Sequence, residues 1–403
     1  MKILQINSVC GIRSTGRICT DIAEILEENN HECKILYGRE NVPEKFRKYA
    51  VRIGTDCQVN WNGLKARVLD NEGFNAIKQT KQILSYIENY KPDLVHLHNL
   101  HGYYINMKLL FNYLSEQAIP VVCTMHDCWS ITGHCAYFTK VKCEKWKAGC
   151  YDCELTKRYP ISLIMDHSKI NWNKKKELFG LIKNLTVITP SIWLADIMKQ
   201  SFLGNNDIQV INNGIDTVAF KRTQGDIRGK YRLGEKKIVL GVASAWGDSK
   251  GLPDFIELSK SIENQYQIVL VGVDEKQMEL LPENIIGIKK TNDVNELAQL
   301  YSAAMVFVNP THSDNYPTTN LEARACGTPV ITYNTGGSPE SAGTDAVVLE
   351  PGDIEGIRSA IDKIANGNAQ NIDITQNYKL SRTYMAEQYI SLYFEKLSGD
   401  IRL

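Results

Sequence analysis

Short apolar runs alternate with amphipathic helical patterns along nearly the whole chain. Strands are predicted over Lys2–Ile6, Cys33–Tyr37, Leu94–Leu97, Pro120–Thr124, Leu185–Thr189 and Ile208–Ile211. Helical spacing falls between them, over Ile18–Glu28, Ile77–Asn89, Met107–Leu114 and Trp193–Ser201. After a polar stretch, Lys221–Lys237, the series restarts. Strands are predicted over Ile238–Val242, Ile268–Val271, Met305–Val308 and Pro329–Tyr333, with helices over Leu252–Ser261, Asn295–Ala303, Leu321–Cys326 and Ile354–Ala365. A strand–helix rhythm run twice predicts an α/β chain with two doubly wound parallel sheets. The turn Asn212-Asn213-Gly214-Ile215-Asp216 separates the two blocks. The predicted domains are therefore 1–213 and 214–383, followed by a last helix over 384–403 with Met385, Tyr389, Leu392, Tyr393 and Leu397 near helical spacing.

Composition narrows the function. At 403 residues two domains are the default. Lys+Arg and Asp+Glu are both 46, so no global field draws the chain to nucleic acid. No apolar run approaches the roughly 20 residues that span a bilayer. The first residues read as a strand and a glycine turn, not a signal peptide, and the expected location is cytoplasmic. Eleven cysteines are then expected as thiols or metal ligands.

The strongest chemical signal is Asn309 to Gly327, NPTHSDNYPTTNLEARACG. A buried strand breaks into a polar loop, and a helix starts near Thr318 or Thr319 with Pro317 at its first turn. Unpaired N–H groups and the helix dipole make that start a site for an anion. Asp314 and Glu322 flank it, and the loop Asn315, Tyr316, Pro317, Thr318, Thr319 offers backbone amides. Three further strand ends carry candidate chemistry. The turn Asn7–Arg17 is rich in small residues and opens a helix, so its backbone can approach a phosphate or sugar closely with Arg17 as cationic support, or it is an ordinary strand–helix loop; its glycines Gly11 and Gly16 lack the dinucleotide spacing. Val121–Thr124 runs into Met125-His126-Asp127, which aims a histidine that can donate a hydrogen bond, and titrates near neutrality, at a sugar or phosphate. Gly241–Gly251 ends in Lys250, placed to neutralise a diphosphate. His96–Tyr104 ends a further strand with a polar, aromatic cluster that lines a site or supports it by packing.

Together these motifs resemble glycosyltransferase family 4, whose members have the GT-B fold. The resemblance runs through the N-terminal glycine loop, His126, Asn213-Gly214-Ile215-Asp216, Lys250-Gly251 and residues 309–340. It implies two Rossmann-like domains facing across a cleft, and a last helix that crosses back onto the first. It implies a retaining transfer from a nucleoside-diphosphate sugar to a saccharide acceptor, lipid-linked in the bacterial surface-polysaccharide enzymes that look most similar. By the same resemblance Gly16 lies against the donor phosphate, His126 contacts the donor sugar, Asp314 lies near the reacting carbon and Glu322 holds the ribose. No metal on the diphosphate is implied. Two positions depart from the family pattern. Asp314 stands where most members have Glu, and Ser244 and Ala245 stand where an arginine usually shares the phosphates with the lysine. Two other readings use the same architecture: a nucleotide-sugar epimerase, and a non-catalytic subunit that binds a partner transferase.

One insertion has chemistry of its own. Cys135, Cys143, Cys150 and Cys153 are candidate ligands of a structural zinc, and Cys150-x-x-Cys153 has metal-knuckle spacing. Unligated thiols in a surface loop are the alternative. Tyr137, Phe138, Lys140, Lys142, Lys145, Trp146, Lys147, Lys157 and Arg158, followed by Trp172 and Lys174–Lys176, form a basic and aromatic patch. Such a patch suits peripheral contact with an anionic membrane face, or is a solvated loop.

Overall fold

Runs of four to six apolar residues with no polar alternation bury both faces, which only a covered parallel sheet allows. In the computed structural model, which describes residues 1–367 and 374–398, these runs form two such sheets. The chain divides into one unit of Met1–Asn212 plus the last helix from Met385 on, and a second of Asn213–Tyr384. Residues 368–373, expected in the second domain, and 399–403, expected in the last helix, lie outside the described residues.

The first sheet contains β1 (Lys2–Asn7), β2 (Glu32–Tyr37), β3 (Ala50–Arg52), β4 (Leu94–Leu97), β5 (Val121–Thr124), β6 (Thr186–Thr189) and β7 (Asp207–Val210). Its order is β3-β2-β1-β4-β5-β6-β7, every pairing parallel. The order reverses between β1 and β4, where Ile3 pairs with Leu94 and Ile6 with Leu97. The second sheet contains β8 (Lys237–Val242), β9 (Tyr266–Val271), β10 (Ile285–Ile288), β11 (Val306–Asn309), β12 (Val330–Tyr333) and β13 (Val347–Leu349). Its order is β10-β9-β8-β11-β12-β13, again all parallel, reversing between β8 and β11. Connections on either side of a reversal leave toward opposite faces, so each sheet opens a crevice at the carboxyl ends of those two strands.

Strand periodicity sorts the cores. On β1, β4 and β5 one face carries Leu4, Ile6, Val95, Leu97, Val121 and Cys123. The other face carries Ile3, Leu94 and Val122, with the polar Gln5, His96 and Thr124 between them. The last helix, Arg382–Ser398, covers this second face with Met385, Ala386, Tyr389, Leu392 and Tyr393. Each large apolar side chain buried there stabilises by about 1.5–3 kcal/mol. The two tyrosines also satisfy the polar strand residues: Tyr393 Oη lies 2.6 Å from His96 Nδ1, and Tyr389 Oη lies 3.0 Å from Thr124 Oγ1.

The first helix spans Arg13–Glu28, five residues longer at its start than the apolar pattern predicts. Gly11, at φ 70°, donates its N–H to Gly16 O at 2.9 Å and turns the chain into the helix before its apolar face begins. The short edge strands β3, β10 and β13, and the helices Asp56–Leu69 and Ser168–Leu181, also go beyond the predicted elements.

Candidate active site

In the second unit, β8 runs into a turn that ends at Gly251, φ 77°, and starts the helix Leu252–Ser261. A Cβ on Gly251 would lie 2.3 Å from Pro310 O, so only glycine lets this turn meet the loop after β11. His312 N–H and Thr311 Oγ1 both donate to Ser249 O, at 2.9 and 3.1 Å. This contact across the strand reversal brings Lys250 Nζ onto Asp314 Oδ2 as an ion pair. The backbone beneath Asp314 is equally constrained. Its carbonyl accepts from Gly337 N–H at 3.3 Å, and a Cβ on Gly336, φ 59°, would lie 1.9 Å from that oxygen. Lys250, expected against a diphosphate, is thus held by a carboxylate at the mouth of the crevice.

The helix Thr318–Ala325 follows, with Pro317 at its N-cap and no side chain capping it. Thr318 and Thr319 are half-buried in its first turn, where N–H groups have no intrahelical partner. Behind them Asn320 is fully buried. Its Oδ1 accepts from Asn309 Nδ2 at 2.8 Å, and its Nδ2 donates to Ser341 Oγ at 2.9 Å and Ser338 O at 3.1 Å. Glu322 is buried too, with Tyr301 Oη donating to its Oε2 at 3.0 Å. Of the remaining loop residues, Asn315 donates its N–H to Asp314 Oδ1 at 2.9 Å, while Tyr316 is turned into the core, where burial pushes its hydroxyl up to about 12. Trp246, in the turn after β8, is core: its Nε1 donates to Val271 O at 2.9 Å.

Some of the framework has no sequence signal. Asp254 accepts from Tyr333 Oη at 2.7 Å and lies 2.9 Å from His312 Nε2, tying its helix to the end of β12 and the loop after β11. An acid in a helix's first turn beside Pro253 is the only hint of it. Nothing in the sequence marks Asn320 as a brace.

In the first unit, Gly16 lies inside the helix, buried, and a Cβ there would sit 3.1 Å from Val9 Cγ2 and 3.2 Å from Gly11 N. It serves the close turn itself. Arg17 is exposed on the following residue. At the ends of β4 and β5 the histidines form pairs. His98 Nδ1 lies 3.0 Å from His126 Nε2, and His101 Nε2 lies 2.9 Å from Asp127 Oδ2. The ring expected to titrate near neutrality does not: burial pulls His126 down to about 4, Asp127 opposing and His101 adding to the shift. Burial would raise the Asp127 carboxyl, but His101 and Trp129 N–H outweigh it and hold it below the usual range. Asp127 therefore pairs with His101.

The insertion packs into the core of the first unit, in one cluster with Leu4, Leu97 and Cys123. Phe138 and Trp146 stack with centroids 5.0 Å apart, and both are buried with Trp172, so these aromatics do not form the expected surface patch. What is exposed instead is Ile161, Leu163, Ile164 and Met165. Cys135, Cys143, Cys150 and Cys153 line one cavity with Trp146. Cys135 and Cys153 share a hydrogen bond that, as the largest influence, lowers Cys153 to about 7. His134, close in sequence, is committed to Asp70. Among the described residues no three His, Cys, Asp or Glu side chains are arranged to hold a metal ion. Among them too, no helix is long and apolar enough to cross a membrane.

Residues 15–218 match the Glycosyltransferase Family 4 profile, and residues 223–380 match Glycosyl transferases group 1. The chain is 27% identical over 345 residues to the putative colanic acid biosynthesis glycosyl transferase WcaC of Escherichia coli, covering 82% of each. It is 26% identical over 222 residues to the capsular polysaccharide biosynthesis glycosyltransferase CapM of Staphylococcus aureus, covering 49% of this chain and 58% of that one. Among solved structures, sucrose-phosphate synthase from Thermosynechococcus elongatus superposes with a TM-score of 0.70 at 16% identity over 98% of both chains. HepE from Anabaena, solved with UDP-glucose, superposes with a TM-score of 0.66 at 15% identity over 97% of this chain and 99% of that one. Two parallel sheets, each with its crevice at a strand reversal, and a family match over half the length agree: the chain belongs to glycosyltransferase family 4 and has the GT-B fold.

Proposed function

We propose that this chain transfers a sugar, with retention of anomeric configuration, from a nucleoside-diphosphate sugar to a lipid-linked saccharide during assembly of a bacterial polysaccharide. The observation that carries the reading is the Lys250–Asp314 pair across the β8–β11 reversal, next to an uncapped helix start. A diphosphate docked there meets the N–H groups of Thr318 and Thr319 and draws Lys250 from Asp314. Charge that develops on the leaving phosphate is then stabilised by groups already in place. Glu322, with one oxygen held by Tyr301, is oriented to accept ribose hydroxyls. Asp314, once relieved of Lys250, offers its carboxylate to the transferred sugar. Support for the donor and pathway comes from HepE, solved with UDP-glucose, and from the polysaccharide transferases WcaC and CapM. Incubation with nucleotide sugars and lipid-linked acceptors tests this. An α-linked product from an α-linked donor is expected, abolished in Lys250→Ala and Glu322→Ala; an inverted product, or full transfer by both variants, overturns it.

For a lipid-linked acceptor, contact with the membrane face is part of the same proposal. Exposed Leu163 and Ile164 between Lys157, Arg158 and Lys169 combine apolar and basic groups that suit an anionic interface. Sedimentation with anionic vesicles should fall in the double variant Leu163→Asp, Ile164→Asp; unchanged binding refutes this surface. A structural zinc on Cys135, Cys143, Cys150 and Cys153 is a separate proposal, supported by their common cavity and requiring the thiols to draw together. Metal analysis of the purified chain should recover about one equivalent of zinc; four freely titrating thiols would exclude it.

A further inference from the structure

The first sheet has a crevice of its own, at the β1–β4 reversal, and the loop that follows β4 there is tightly held. Tyr103 has φ 67°, a left-handed setting that is rare for a bulky side chain. Three hydrogen bonds keep it there. Glu72 Oε1 accepts from Gly102 N–H at 2.5 Å and from Tyr103 N–H at 2.9 Å, and Asn62 Nδ2 donates to Tyr103 O at 3.1 Å. Glu72 and Asn62 are both buried. Gly102, at φ 113°, brings the loop against the residues that follow β1 and β2: a Cβ there would lie 3.1 Å from Ser8 Cβ and 3.3 Å from Arg39 Cδ.

This arrangement flanks an aromatic ring with two guanidinium groups. Arg39 follows β2, and its N–H donates to Ser8 O at 2.9 Å. Its side chain is half-buried, with Cζ 5.7 Å from the Tyr103 ring centroid. Arg67, in the last turn of the helix Asp56–Leu69, donates to the Tyr103 hydroxyl. Among the described residues neither arginine is paired with a carboxylate. The acids nearby are committed elsewhere. Glu40 pairs with Arg13, Asp127 pairs with His101, and Glu72 holds the two backbone N–H groups. Burial raises the Glu72 carboxyl, opposed by those N–H groups, His101 and Lys175. Tyr159 stands close to Arg39 and Tyr103, with its hydroxyl 2.9 Å from His101 Nδ1.

We propose that this crevice binds a sugar carrying an oxyanion, a carboxylate or a phosphate, with Arg39 and Arg67 on the charge and Tyr103 and Tyr159 beside the sugar. A guanidinium offers paired N–H donors in a plane, which suit an oxyanion bidentately. Half-buried Arg39 is screened by salt less than an exposed charge. Glu72 is a positioning residue: it sets the backbone of Tyr103 from beneath. That the sugar belongs to a saccharide acceptor rests on the sugar-transfer reading above; the preference for charge rests on this unit alone.

Ligand-observed NMR titration of the full chain, without nucleotide, is the test, with methyl glucuronide, glucose 1-phosphate, methyl glucoside and inorganic phosphate as probes. At least one charged sugar should bind about tenfold or more tighter than methyl glucoside, the size of one charge-assisted contact. Tighter binding of the glucuronide assigns a sugar acid, and tighter binding of the phosphate ester assigns a phosphorylated saccharide. Arg39→Gln should remove the preference and Arg39→Lys should keep part of it, which separates this binding from any at Lys250. Equal binding of methyl glucoside, or a preference that survives Arg39→Gln, overturns the proposal. Inorganic phosphate binding as tightly as glucose 1-phosphate, with no binding of the glucuronide, leaves an ion site without a sugar and overturns it too. Glu72→Ala keeps both arginines and should reduce the preference; an unchanged preference in the folded variant refutes its positioning role. Should that variant not fold, Arg39→Gln decides. A charge preference in a chain that transfers no sugar upholds the crevice and removes its acceptor. Sugar transfer by a chain without the preference upholds the transferase and removes the crevice.

Discussion

Replacing Asn320 with alanine should loosen the donor half of the site without touching any group that meets substrate. Asn320 is fully buried and binds the start of its helix to the end of β11 and to the turn at Ser338–Ser341. Alanine deletes hydrogen bonds to three residues: Asn309 at 2.8 Å, Ser341 at 2.9 Å, and Ser338 at 3.1 Å to its carbonyl and 3.3 Å to its hydroxyl. At about 1 kcal/mol net each, that is roughly 3 kcal/mol. Ser341 Oγ keeps its own bond to Ser338 O at 2.9 Å, so those two groups are not orphaned. Asn309 Nδ2 has no such replacement, and a buried donor without a partner costs about 1–3 kcal/mol. The total expected is therefore about 4–6 kcal/mol, a shift of roughly 8–24 °C in the transition of a unit this size. Calorimetry of the full chain would resolve it as a fall in one transition, with the other unmoved. Sugar transfer should fall with it at temperatures where the protein is folded, since the helix carrying Glu322 is then free to shift. A loss under 1 kcal/mol would refute the claim that Asn320 braces the site.

Other positions give equally specific outcomes. Gly336→Ala places a Cβ 1.9 Å from Asp314 O at φ 59°, so transfer should drop at least about tenfold through displacement of the loop, and wild-type activity would contradict that. Acid should destabilise the first unit early. His96, His98 and His126 stay neutral when folded and protonate when unfolded below about 6.5, so the unfolded chain binds more protons there and stability falls with pH, by up to about 4 kcal/mol per unit. Urea titrations between pH 7 and pH 5 check this, and a flat profile would show that the histidines are not held neutral. Tyr301→Phe leaves Glu322 Oε2 without its donor at 3.0 Å and should cost about 1–3 kcal/mol of stability while weakening donor binding; unchanged values for both would detach Glu322 from the site.

The central strands were legible because continuous apolar runs have one stable setting, between two covered faces. Edge strands such as β3 and β13 are half-exposed and only three residues long, so no run announces them. The helix Ser168–Leu181 hides for another reason. Its buried face holds Asn171, Trp172 and Lys175, and Lys175 is satisfied by Trp129 O at 2.7 Å, Thr132 O at 3.0 Å and the Trp129 ring beneath it. Polar residues that tertiary partners satisfy look like surface in a sequence. The same blindness explains Phe138 and Trp146, whose basic neighbours mask their burial in the core of the first unit. At the site, the loop grammar around Thr318 and the strand-end placement of Lys250 and Asp314 were readable. Their pairing was not, because it depends on β8 and β11 being neighbours.

Titration calorimetry of the chain with uridine, guanosine, adenosine and cytidine diphosphates and their sugars tests the central claim most directly. The account predicts that at least one binds and that Lys250→Ala and Glu322→Ala each weaken it at least about tenfold. No binding by any of them, or wild-type affinity in both Lys250→Ala and Glu322→Ala, would contradict a donor site at the β8–β11 reversal.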